Sequence, residues 1–145
     1  MDKPQYVAFM GSVPSLSTTF LEQIENPPDL VVKSYAPYRR FAVQIADDGM
    51  DSFGIEQGDF LIFREQRWPT NEGQICLVTF GDEVSIRILE YIYNPEVTLR
   101  VPGDKIPSLE LAPTDFCVIG VLNGVIKEEF AELIYHEEED FDWGC

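Results

Sequence analysis

Positive charge is scarce in this chain. Its 145 residues carry 10 lysines and arginines against 26 aspartates and glutamates, for a net charge of −16. Duplex nucleic acid is gripped by lysines and arginines that displace counterions, and anionic lipid attracts the same groups. The charge balance therefore excludes unaided binding to either. Histidine is limited to His136, and cysteine to Cys76, Cys117 and Cys145. Three cysteines are an odd number at no metal-ligand spacing, so no disulfide framework, metal site or cofactor is expected. Cys76 and Cys117 sit in apolar runs and read as buried thiols. No segment approaches the roughly 18 apolar residues of a membrane helix. Met1-Asp2-Lys3-Pro4 offers no basic stretch followed by an apolar one, so no signal peptide is expected and the protein reads as cytoplasmic and reduced.

What is present is a globular composition, 45% hydrophobic and 12% aromatic, in a length that fits one domain with its own core. The charge is uneven. Residues 127–145 hold 8 acids and one base, net −7, while residues 1–126 hold 18 acids and 9 bases, net −9. A mildly acidic body is followed by a strongly acidic end.

Most of the body reads as strands. Residues 41–45, 59–63 and 74–80 are short apolar runs, and Gly81-Asp82 reads as a two-residue hairpin turn. Residues 83–89 alternate strictly, with Val84, Ile86 and Ile88 on one face and Glu83, Ser85, Arg87 and Leu89 on the other. Runs at 96–101 and 115–121 follow, punctuated by Asn94-Pro95, Pro102-Gly103 and Ala112-Pro113. The expected fold is mainly β, a partly closed sandwich or barrel. Residues 14–37 read as a long, mostly irregular connection. Residues 51–55 allow one helical turn. Residues 127–139 predict a short acidic helix, with Phe130, Leu133 and Ile134 on one side and a frayed end where Glu137, Glu138 and Glu139 oppose the helix dipole. The division is therefore 1–40 for an N-terminal strand and connection, 41–126 for the β core, and 127–145 for the acidic helix and tail.

Around Gly49 the chain reads Gln44-Ile45-Ala46-Asp47-Asp48-Gly49-Met50-Asp51-Ser52-Phe53-Gly54-Ile55-Glu56-Gln57-Gly58-Asp59. Met50, Gly54, Ile55, Gly58 and Asp59 fall in register with the self-cleaving C-terminal domain of LexA-type repressors and UmuD-type mutagenesis proteins, which this sequence resembles. Three further segments extend the resemblance over about residues 7–126. Residues 83–89 resemble the strand that carries the family's catalytic lysine, with Arg87 at the lysine position. Residues 9–16 resemble its cleavage-site segment, with Ser15-Leu16 at the scissile dipeptide. Residues 116–126 resemble its closing strands, which pair across a dimer, so the resemblance implies an interface through Phe116, Val118, Gly120, Val121, Gly124 and Val125.

In that family a serine hydroxyl attacks the chain's own peptide bond, and a buried, neutral lysine takes its proton. Here the chemistry is missing at each position. Gly49 has no side chain. Arg87 stays protonated and cannot act as a general base. Leu16 places bulk where the family has glycine. The resemblance thus implies a degenerate member without catalytic residues. Ser52, three residues past Gly49, reads as an ordinary surface or capping serine. Lys33 and Lys105 lie off the matching strand. Arg87 is either an exposed strand residue or a filler of the old groove, paired with Asp47, Asp48 or Asp51.

Two features fall outside the resemblance. His136, with Glu132 and Glu139 at helical spacing, could be imagined as a metal ligand and reads instead as an exposed helix residue. Phe141 and Trp143 among the terminal acids read first as part of a solvated end, and alternatively as a segment that docks into a basic, apolar groove of a partner. Three functions remain open. One is a proteolytically inactive interaction or regulatory module, in SOS-type or prophage regulation, that forms a homodimer, pairs with a LexA- or UmuD-like relative, or contacts a repressor or polymerase. Another is an acidic decoy that mimics nucleic acid toward a basic DNA-binding protein. The last is an active autoprotease of the same family.

Overall fold

The computed structural model describes residues 3–21 and 25–136. Among them one continuous sheet contains β1 (Gln5–Val13), β2 (Thr19–Phe20), β3 (Asp29–Val32), β4 (Arg40–Ile45), β5 (Phe60–Arg64), β6 (Gln74–Phe80), β7 (Glu83–Glu90), β8 (Val97–Arg100), β9 (Leu109–Leu111), β10 (Cys117–Ile126) and β11 (Leu133–Ile134). Its order is β11-β3-β1-β4-β5-β10-β6-β7-β8-β9, with β2 paired to β7. The fold is mainly β, as the strand-like runs and turn signals imply. The 74–80 run forms β6 with unchanged bounds, and Gly81 makes the predicted hairpin turn at φ +65°.

β10 joins the two parts of the sheet. Its first half pairs with β6, its second half with β5, and Val121 has a partner on each, Cys76 and Arg64. The register slips between Val118 and Gly120 and again between Leu122 and Gly124. Bulges of this kind bend a strand and let it serve two neighbours. At the bend Gly120 is required by contact: a Cβ there would lie 2.8 Å from both Phe41 Cζ and Phe63 Cβ.

Folding the sheet this way brings the β1–β4–β5 part over the β6–β7 part. The central core joins Val13, Val43 and Ile45 to Leu77, Ile86 and Ile88. Burying side chains of this size contributes about 1.5–3 kcal/mol each. Val84, Ile86 and Ile88 face this core together, as the alternation of β7 requires. The opposite face of β7 is covered as well: Ser85, Arg87 and Leu89 are all buried.

Several expectations are corrected. Residues 127–136 contain no α-helix. They form a 3-10 turn at Glu128–Phe130 and then β11, whose Leu133 and Ile134 pair with Leu30 and Asp29 of β3. The unpaired edge of β3 offers Leu133 and Ile134 a ladder that outweighs the weak helical pattern. The 14–37 connection contains β2 and β3. Cys117 is exposed, and only Cys76 is the expected buried thiol. Burial pushes the Cys76 thiol up to about 12. Phe141, Trp143 and Cys145 lie outside the described residues.

Candidate functional site

The site arises where β1 and β4 end together. They run parallel, with Ser12 opposite Gln44 and Val13 opposite Ile45. Ala46 N–H donates to Val13 O at 2.9 Å, so residues 14–16 and 46–49 leave the sheet side by side. Asp47 then acts as the clamp between them. Its carboxylate accepts from Ser15 N–H at 3.0 Å, Ser15 Oγ at 2.8 Å, Leu16 N–H at 2.9 Å and Gly49 N–H at 3.0 Å. Charge-assisted bonds of this kind are roughly twice as strong as neutral ones.

β7 holds the other side of the same segment. Ile86 N–H donates to Pro14 O at 3.0 Å. Ser85 Oγ donates to Ser17 O at 2.8 Å and to Pro14 O at 3.3 Å. Beyond the turn, Thr19 and Phe20 pair with Val84 and Glu83, and Thr18 Oγ1 donates to Glu83 Oε1 at 2.7 Å. Residues 14–20 therefore lie across the site as a strap, bonded to the β4 end on one side and to the β7 edge on the other. Within the strap, Ser15 is fully buried.

Four positions singled out in the sequence lie here. Ser15 sits directly on Gly49: a Cβ on Gly49 would press against Ser15 Oγ, with Ser15 Cβ at 3.0 Å and Asp47 Oδ1 at 3.1 Å. Leu16 is partly buried and enters only through its N–H on Asp47. Arg87 is buried at 4% exposure, so it is not an exposed strand residue. It makes no ion pair within 4.0 Å among the described residues. Its Nε donates weakly to Ser85 Oγ at 3.4 Å, and its Nη1 has no hydrogen-bond partner among the described residues. Burial pulls the Arg87 pKa down and the charge of nearby Asp47 opposes this. An arginine guanidinium stays protonated in proteins, so no general base results.

Asp48 and Asp51 turn to Lys105 instead of Arg87. Lys105 Nζ donates to Asp48 O and Asp51 Oδ1, each at 2.6 Å. The Asp51 hydrogen bond, with the charges of Asp48, Asp51 and Asp47, raises the Lys105 pKa and keeps it protonated. Lys33 is exposed just beyond β3, and Ser52 is exposed on the 3-10 turn at Asp51–Phe53. Asp59 does bond backbone in its turn, to Glu56 N–H at 2.8 Å, and it also carries Lys127 at 2.7 Å. His136 is partly exposed and bonds Asp29 Oδ2 at 2.9 Å, and no group of three metal-ligating side chains exists among the described residues.

Of the six strand residues expected at an interface, Phe116, Val118, Gly120 and Val121 are buried within this one chain. Gly124 is half-buried and Val125 exposed. Each half of β10 has one backbone edge paired by a strand, and the edge beyond residues 117–119 faces a cleft of about 580 Å³ beside Trp68 and Phe116. Sequence reasoning missed Asp47 as a clamp. The signal available was an acid directly after a strand that ends level with the Ser15 segment.

The chain matches a family model described as Peptidase S24-like over residues 9–122. It is 23% identical to a LexA repressor of Pseudothermotoga lettingae over 111 residues, which are 74% of this chain and 55% of that protein. The chain thus spans about half the length of this relative. No helix among the described residues is long and apolar enough to cross a membrane.

Proposed function

The chain belongs to the peptidase S24-like family, and we propose that it is a member that does not cleave itself and serves as a protein-interaction module. The observation that carries this reading is the seat of Ser15 on Gly49. The segment that resembles a scissile site packs against Gly49, a residue with no side chain. The hydroxyl of Ser15 fills the space a nucleophile would need. Arg87 stands at the position of the base and holds its proton. What remains is a strap clamped by Asp47 and Ser85, which closes the groove rather than presenting a bond to be broken.

The module reading rests on the retained scaffold: the sheet is complete around the altered site, and β10 keeps a strand edge and the exposed Val125 for a second chain or a related repressor subunit. Cleavage is the direct test. Incubation of the pure protein at alkaline pH, about 10, deprotonates a lysine whose pKa burial has lowered and part of the ordinary ones, and so activates any member with a working serine-lysine pair. The protein is expected to stay as one band, with its mass unchanged. Two fragments divided between Ser15 and Leu16 would overturn the proposal.

A further inference from the structure

The basic residues of this acidic chain are not spread evenly. Lys105, Lys127 and Arg100 each hold a carboxylate. Arg39, Arg40 and Arg64 gather at the opposite end of β4 and the end of β5, and among the described residues none of them has a carboxylate within 4.0 Å. Arg40 and Arg64 are direct cross-strand partners, an arrangement that repels and costs stability when nothing negative covers it. Arg64 stacks over the Tyr38 ring at 4.1 Å. Among the described residues Arg40 finds only neutral acceptors, Ser34 O at 2.6 Å, Ser34 Oγ at 3.4 Å, Asn123 Oδ1 at 3.2 Å and Gln5 Oε1, and its buried Nε has no partner there. Beside them Gln5, Tyr6, Tyr35 and Tyr38 line a groove of about 500 Å³, with Tyr6 and Tyr35 more than half exposed.

A chain with 2.6 acids per base leaves this corner without an ion pair, and ends in a segment of the complementary kind. Residues 137–145 carry five acids together with Phe141 and Trp143. We propose that this basic, tyrosine-lined corner is a docking site for an acidic segment bearing aromatic residues, and that its occupant is the chain's own residues 137–145. Carboxylates would cover the facing arginines, and an aromatic side chain would enter the tyrosine groove. Reach permits it. His136 is anchored on Asp29 at the start of β3, while the corner lies past the other end of that strand. The four residues of β3 span about 13 Å, and nine extended residues span about 30 Å. The docked end would mask both its own acids and the corner until a partner competes for one of them.

The test reads Trp143 in the full chain, with Trp68→Phe removing the other tryptophan. At about 0.1 M salt, Trp143 emission is expected to lie to the blue of the free 137–145 peptide and to be several-fold less quenched by iodide. Both differences should vanish in Arg39→Glu/Arg64→Glu, and at about 1 M salt, where screening falls to about 3 Å. If that double variant fails to fold by circular dichroism, Arg39→Gln/Arg64→Gln gives the same reading. Emission equal to the free peptide overturns the proposal, as does a blue shift that survives both pairs of substitutions. A blue shift that disappears on dilution would place the segment on a second copy and overturn the intrachain docking. A single-stranded oligonucleotide that binds the corner without displacing Trp143 would make it a nucleic-acid site instead.

Discussion

At the scale of single residues, the altered site holds Asp47 and Arg87 without an ion pair between them, so neither of the two alternatives open for Arg87 in the sequence describes it fully. Gly49, Arg87 and Ser15 were singled out by the family resemblance, which aligns them with the serine, lysine and cleavage-site positions. Asp47 was not, because its task depends on β1 and β4 ending level, which no local pattern encodes. Asp47 spends its carboxylate on three N–H groups and a hydroxyl. Arg87 is left buried with an unpartnered Nη1. Replacing a buried, poorly paired charge by an apolar side chain of similar length is often neutral or stabilising, whereas removing an acceptor of several bonds is not. Arg87→Met is therefore expected to leave the urea midpoint unchanged or to stabilise by about 1–2 kcal/mol. Asp47→Asn is expected to destabilise by about 2 kcal/mol or more, because the amide turns a donor toward the N–H groups of Ser15 and Leu16. Equal losses in the two variants would make Arg87 the counter-ion that the geometry denies.

At the scale of elements, strands with their own strong apolar pattern were readable and short strands defined by a neighbour were not. β6 and β7 announce themselves by run and alternation. β3 and β11 hold four and two residues and are defined by their neighbours: β3 pairs along β1, and β11 pairs on the edge that β3 leaves open. Glutamates at 128, 129 and 132 suggested a helix face, yet the same stretch crosses the β5 start and is fixed there by Lys127. Burial works to raise the Asp59 pKa, but the Lys127 hydrogen bond, the Glu56 and Glu128 N–H groups and the Lys127 charge outweigh it, and the net shift is downward. A carboxylate whose folded pKa is depressed stabilises the fold above its unfolded value, about 3.9. That contribution is lost as pH falls through the lower folded value. The chain should thus lose stability below about pH 4, and Lys127→Met should flatten that part of the curve while lowering stability at neutral pH. A Lys127→Met curve parallel to the original down to pH 2, measured by urea unfolding, would remove this pair from the acid response.

At the scale of the whole molecule, charge governs how copies of the chain meet. Each carries −16, so two copies repel over a distance set by screening, about 10 Å at 0.1 M salt and about 3 Å at 1 M. A dimer that uses the open edge of β10 and the exposed Val125 has apolar and backbone contacts to offer and little ionic attraction. Its association should strengthen as salt rises, because added ions remove the repulsion without weakening those contacts. Contact between the acidic end of one copy and the arginine corner of another would respond in the opposite sense. Sedimentation velocity at both ionic strengths distinguishes the two. The expected result is a dimer fraction that grows with salt and is reduced by Val125→Glu, which places a like charge in the contact. A clean monomer at tens of micromolar protein, about where weak oligomers begin to populate, would count against an interface on β10. A dimer that dissociates with salt would move the contact from the strand edge to the charged ends of the molecule.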